Sequence, residues 1–167
     1  MNALVLGVDP GSRVTGYGLV AAAGETLIHV DSGHISLPAS LPHSQRLGRI
    51  FARLEELLHR HRPAAVAVEE VFVAHNPQSA LKLGQVRGVV LLAAARGELP
   101  VFEYSPLALK KALVGYGQAT KAQMQLMVEQ LLGRPVANHN AADALALAIC
   151  HLLHGRFQDR LTAAAAP

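Results

Sequence analysis

Three carboxylate positions stand out in the 167-residue sequence. Asp9 closes the apolar run Leu4–Val8 and opens a glycine-punctuated turn, Asp9-Pro-Gly-Ser12. The pair Glu69-Glu70 falls in a second apolar run, Ala64–Val71, and Asp143 in the alanine-rich stretch Ala141–Ala148, three residues after Asn140. A charged side chain at the end of a buried strand is costly unless a cation or hydrogen bonds compensate it, so such residues mark candidate sites. Brought together without a cation, Asp9, Glu69 and Asp143 would repel one another and at least one pKa would rise. A hard divalent ion relieves that conflict. Oxygen donors with no nearby cysteine favour magnesium or manganese, ions that clamp a phosphate and acidify an attacking water. Taken singly, each residue also has a plain structural use: Asp9 can initiate its turn, Asp143 can cap its helix, and Glu69 or Glu70 can pair with an arginine.

The elements that must position these groups follow from periodicity and punctuation. Leu4–Val8, Val14–Ala22 and Thr26–Ile35 read as three strands joined by short turns, hence an antiparallel meander. Leu47, Ile50, Phe51, Leu54, Leu57 and Leu58 recur at three- and four-residue spacing, so Gln45–His61 is an amphipathic helix stopped before Pro63. Ala64–Val71 is strand-like, Gln78–Arg96 helical with Gly97 as its stop, and Val101–Tyr104 a strand parallel to the one before it. Three helices complete the chain: Pro106–Val114, Lys121–Leu132 with Thr120 as N-cap, and Ala141–His154 ending at Gly155. This predicts a mixed five-stranded α/β sheet flanked by helices, with the site beyond the carboxyl ends of the strands. Asp9 shares a strand face with Val5 and Gly7, and Glu69 with Ala65 and Ala67. Those small side chains invite the alanine-rich helix to lie close, with Asp143 in its first turn where the dipole favours negative charge.

Composition sets outer limits. A chain of 167 residues that is 51% hydrophobic and 16% charged holds one well-buried core. One domain over residues 1–155 is expected, followed by a flexible tail over 156–167. The single cysteine, Cys150, excludes an intramolecular disulfide, and no signal-peptide pattern is visible, so a reducing, cytoplasmic setting is expected. No apolar run approaches membrane-spanning length. Residues 82–121 carry six Lys/Arg against two Glu, whereas residues 1–70 carry six against seven. That local excess suits a polyanion such as nucleic acid, and equally a solvated face. The helix Gln78–Arg96 carries Ala80, Gly84 and Gly88 at four-residue spacing, which permits a close helix contact either within the chain or between two chains.

Five segments in order resemble one known family: Gly7-Val-Asp-Pro-Gly-Ser-Arg-Val-Thr-Gly-Tyr-Gly18, Val68-Glu-Glu-Val-Phe72, Ser79-Ala-Leu-Lys-Leu-Gly-Gln-Val-Arg-Gly88, Leu99-Pro-Val-Phe-Glu-Tyr104 and Ala141-Ala-Asp-Ala-Leu-Ala146. The family is RuvC, the bacterial Holliday junction resolvases, and the resemblance runs from about Leu4 to His151. It implies a ribonuclease-H-like fold, a homodimer, a branch-migration motor as partner, and metal-dependent nicking of two strands of like polarity in a four-way DNA junction. Carried onto this sequence, the catalytic and metal-binding carboxylates are Asp9, Glu69 rather than Glu70, and Asp143. The family places a further aspartate or histidine where this chain has Asn140, with His139 just before it. An asparagine offers a carbonyl oxygen and no charge; His139 can substitute only by turning inward.

The resemblance further implies that Phe72 stacks on an exposed base at the junction centre, although a core phenylalanine would occupy the same sequence position. Lys110 and Lys121 match basic DNA-contact positions, with Lys111, Lys82, Arg87 and Arg13 as further candidates for phosphate contacts. The implied mechanism is in-line attack by a metal-activated water while a second ion stabilises the departing 3′ oxygen. Two rivals remain open at this point. The Asp-Pro-Gly turn also resembles the phosphate loop of actin-like ATPases and sugar kinases, and a non-catalytic junction-binding module would share the scaffold.

Overall fold

A computed structural model of the chain describes residues 3–70 and 76–164, the last eight as backbone alone. Phe72 and His75 therefore lie outside the described residues. The first strand, β1 (Ala3–Asp9), occupies the centre of a five-stranded sheet because its residues from Val5 to Val8 are apolar or glycine and are covered on both faces. On one side it pairs antiparallel with β2 (Val14–Ala23), which pairs in turn with β3 (Thr26–Ser36); on the other it pairs parallel with β4 (Ala65–Glu69), itself parallel to β5 (Val101–Tyr104). The order is β3-β2-β1-β4-β5, the mixed sheet expected from the sequence.

Two layers of helix cover it. Helix α1 (His43–His61) buries Ile50, Leu54 and Leu57 along one stripe, and α2 (Pro77–Arg96) buries Val86, Val90, Ala93 and Ala94. These pack with Leu6, Val8, Val66 and Val68 on one face of the sheet. On the other face, Val5 and Ala67 pack with α3 (Pro106–Val114), α4 (Lys121–Leu132) and the long α5 (His139–Ala164). The helix ends have local causes. Ser105 accepts the Ala108 N–H at the start of α3, Thr120 and Gln123 form a capping box at the start of α4, and Gly115 and Gly133 end the same two helices at φ of 91° and 64°.

Helix α5 departs from expectation at both ends. It begins at His139, two residues early, because Asn138 is the cap: its Oδ1 accepts the Ala141 N–H at 2.9 Å. Asp143 consequently sits beyond the first turn, where the dipole term has faded. Nor does the helix stop at Gly155. It runs to Ala164, and Gly155 keeps a negative φ, so the expected helix end at Gly155 is corrected. A glycine inside a helix costs only about 1 kcal/mol, which the helix-forming residues after it can offset.

The closeness of α5 to the sheet is built from glycine. A Cβ on Gly7 would collide with the Ala144 carbonyl, one on Gly16 with the Asn140 carbonyl, and one on Gly18 with Leu145. Along α5, every residue from Ala144 to Cys150 is buried. Cys150 is among them, and burial pushes its thiol up to about 12. Among the described residues, no helix is long and apolar enough to cross a membrane.

Candidate active site

Asp9 and Glu69 end adjacent parallel strands: the β1–β4 register pairs Val8 with Val68, so the next residue of each strand projects past the sheet on the same face. The α5 backbone is held against that face by Gly7 and Gly16, which brings Asp143 alongside. All three carboxylates line one cavity of about 380 Å³, with Lys110, Lys121, Pro106, Leu109, Met124, Ala146 and Leu147 completing its wall. Strand alternation explains why Glu70 is absent from it. A larger groove of about 690 Å³, between the C-terminal ends of α1 and α2, contains none of these residues.

The electrostatics are those of an under-compensated anion cluster. Asp9 is pushed up to about 7, first by burial, then by the charges of Glu69 and Asp143, with Lys121 opposing. A side-chain hydrogen bond with Glu69 raises Asp9 and lowers Glu69, so the two titrate as a pair. Burial, followed by the charge of Asp143, nevertheless leaves Glu69 above its ordinary value. Asp143 is raised by burial, against Lys121 and His139. Lys121 Nζ stands 3.9 Å from Asp143 Oδ2, but its side chain is 85% exposed, so that pair neutralises little.

A cation fits this donor set. Three carboxylates converge on one cavity, each raised first by burial, with Asp9 raised further by Glu69 and Asp143 and Glu69 by Asp143, the condition a divalent ion relieves. Among the described residues no three acidic, histidine or cysteine side chains already stand at coordination distance from a common point, so the carboxylates face a shared space rather than a closed cage. Asn140 and His139 are not in the cavity wall. Asn140 is half-buried on the first turn of α5 with its carbonyl against Gly16, and His139 is exposed, though close enough for its charge to favour ionised Asp143.

The basic candidates divide. Lys110 and Lys121 belong to the cavity itself. Lys111, Lys82 and Arg13 are exposed on α3, on α2 and in the β1–β2 turn. Arg87 is different: its guanidinium is held 2.5 Å from Glu103 of β5 and its side chain is 21% exposed, which removes it from the free cations. Phe72 lies outside the described residues. His151 and His154 are structural, as their lack of ligand spacing implies: His151 Nδ1 is hydrogen-bonded to the Tyr104 hydroxyl at 2.8 Å, and His154 Nδ1 to the Cys150 carbonyl at 2.9 Å. Two supporting residues escape a sequence reading. Asn138 both caps α5 and bonds His34 of β3 at 3.1 Å, a role that Asn140, two residues on, imitates in the sequence. Arg46 donates to the Ser12 carbonyl at 2.5 Å and pins the turn after Asp9; nothing in the α1 periodicity marks that contact.

Comparison with known proteins places this site in a lineage. A profile of the family described as Crossover junction endodeoxyribonuclease RuvC matches residues 5–151. The crossover junction endodeoxyribonuclease RuvC of Citrifermentans bemidjiense is 52% identical over 149 residues, covering 89% of this chain and 91% of that one. The Thermus thermophilus RuvC structure superposes with a TM-score of 0.86 at 39% identity, covering 93% of this chain and 96% of that one. The same organism's RuvC in complex with Holliday junction substrate gives 0.84 at 38%, covering 92% and 96%. The ribonuclease-H-like architecture expected from the five motifs is therefore the observed one, and the actin-like alternative falls away. The chain belongs to the RuvC family of crossover junction endodeoxyribonucleases.

Proposed function

We propose that this chain is a structure-selective endonuclease that resolves four-way DNA junctions by paired nicks in recombination and repair. The observation that carries the reading is the convergence of Asp9, Glu69 and Asp143, from β1, β4 and α5, on one cavity flanked by Lys110 and Lys121. The fold on which they sit matches a RuvC bound to a Holliday junction along nearly its whole length.

Asp9, Glu69 and Asp143 hold the divalent ions, magnesium or manganese and two per site. When bound, these supply an activated water and charge compensation for phosphodiester cleavage. The protein's own part is placement. The paired strand ends fix Asp9 beside Glu69, and the glycine-lined contact fixes Asp143 against both. Lys110 and Lys121 offer positive charge where a phosphate backbone enters, positioning it without reading sequence. Leu109, Met124 and Leu147 supply an apolar wall that limits water.

Paired nicks need two sites, and the outer face of α2 supports a homodimer. Leu81 and Leu92 are 65% and 54% exposed, and a Cβ on Gly84 or Gly88 would meet nothing within 4 Å. Among the described residues nothing covers Gly84 or Gly88, so the small-residue stripe is available to a second copy, whose two-fold axis would match a two-fold junction. A cytoplasmic setting and a branch-migration motor as partner accord with this activity.

The test is cleavage of a synthetic four-way junction against duplex of the same sequence, with and without divalent metal, by wild type and Asp9→Asn. Junction-selective paired nicks that vanish in the variant while binding persists establish the activity. Binding without nicking in either metal would return the chain to the class of non-catalytic junction-binding modules.

A further inference from the structure

The face of the sheet opposite α3 and α4 carries an acid-free basic surface that the catalytic cavity does not use. No carboxylate occurs between Asp9 and Glu25, between Asp31 and Glu55, or between Glu70 and Glu98. These stretches hold the β1–β2 turn, the N-terminal half of α1 and all of α2. Printed onto the fold, they meet at the end of the molecule where Asp9 lies. Arg46 holds the Ser12 carbonyl at 2.5 Å, tying α1 to the turn three residues after Asp9, and His43 Nε2 meets Gln85 Oε1 at 2.6 Å, tying α1 to α2. Within that frame Arg13 and Arg49 are exposed, and among the described residues neither has a hydrogen-bond or ion-pair partner. The first acids of α1, Glu55 and Glu56, lie further along and are engaged by Arg96 and Arg53.

Cations grouped without counter-charges in the β1–β2 turn and the N-terminal half of α1, segments that include small neighbours such as Gly48 and none of the exposed large hydrophobics, fit a phosphodiester backbone better than a protein partner. We infer that Arg13 in the β1–β2 turn and Arg49 on α1 form a second DNA-backbone contact, gripping a duplex arm on the side of the catalytic cavity opposite Lys110 and Lys121. Arg46 is the positioning residue that holds the turn carrying Arg13. This rests on the reading of the chain as a junction nuclease and adds where the substrate's arm runs. DNA entering the cavity is then held from both layers of the fold, so its path past Asp9 is set by charge on α1 as well as on α3 and α4.

The test is equilibrium binding of a labelled four-way junction by the full chain across a salt series. Arg13→Gln with Arg49→Gln together should weaken binding about tenfold and reduce the slope of log affinity against log salt by roughly one to two. Arg49→Lys should keep most of the affinity, since the contact is to charge. Arg60→Gln, near the far end of the same helix, should bind as wild type. A double variant with wild-type affinity and slope overturns the inference, as does an equal loss in Arg60→Gln. A wild type that neither binds nor nicks junctions would instead strike the functional reading itself.

Discussion

Asp9 and Glu69 stand side by side at the ends of two parallel strands, where burial raises both and their interaction raises Asp9 while lowering Glu69. The fold places two acids so close that a proton or a cation between them relieves the same repulsion.

That repulsion gives a pH signature. The folded-state pKa of Asp9, about 7, lies above its ordinary 3.8. Its proton therefore stabilises the fold fully below about pH 4, and that stabilisation is lost as pH rises through about 7. Between about pH 4 and 7, wild type stripped of metal should lose thermal stability more steeply than Asp9→Asn, and saturating divalent ion should restore it. Each kcal/mol is worth about 2–4 °C in a chain of this size, so melting curves with and without chelator read it directly. Parallel curves for wild type and variant would contradict the raised pKa of Asp9.

Catalysis should be far more sensitive than stability. Asp9→Asn, Glu69→Gln and Asp143→Asn should each cut single-turnover nicking by about 10²–10⁴-fold while leaving junction affinity intact. Glu70→Gln, on the other strand face, should nick at the wild-type rate. A gel assay that found Glu70 more important than Glu69 would reverse the strand register argued above.

Asn140 offers a graded test. Replacing it with Asp adds a negative charge on the first turn of α5, one turn from Asp143, and the metal concentration for half-maximal nicking should fall. An unchanged titration in both magnesium and manganese removes Asn140 from any part in ion binding.

The glycine contact predicts a purely structural defect. Gly7→Ala drives a methyl group into the Ala144 carbonyl, where backbone rather than a flexible side chain must give way. Overpacking of this kind costs about 1–3 kcal/mol, and the melting temperature should fall accordingly. Gly84→Ala, with open space around it, should melt at the wild-type temperature as a monomer yet weaken self-association.

The proposed homodimer has its own check. Leu81→Glu puts a charge on the exposed α2 stripe, and sedimentation should shift toward the monomer without loss of helicity. Paired nicks should then become single ones.

Local signals carried much of this architecture. The ends of α3 and α4 were legible because Pro106 and Gly115, and Thr120 and Gly133, are chemically suited to start and stop a helix in any context. The ends of α5 were not. Asn138 and Asn140 are equally good caps by type, and Gly155 is a stop signal that the helix simply passes through. The three carboxylates were legible because a charge at the end of an apolar run is anomalous wherever it folds. Arg87 and Arg46 were opaque for the opposite reason: their partners, Glu103 and the Ser12 carbonyl, are 16 and 34 residues away on other elements. Surface cations look alike in sequence until the fold decides which are already occupied.

The burial of Cys150 has a practical reach. A thiol sealed inside α5, with a pKa near 12, offers almost no thiolate to maleimides, iodoacetamide or peroxide at neutral pH. A cysteine engineered onto the surface would therefore be the sole reactive one in the native protein, and a fluorophore could be attached there with single-site chemistry. The angle at which junction arms open and close around the enzyme then becomes observable one molecule at a time, without first removing the natural cysteine.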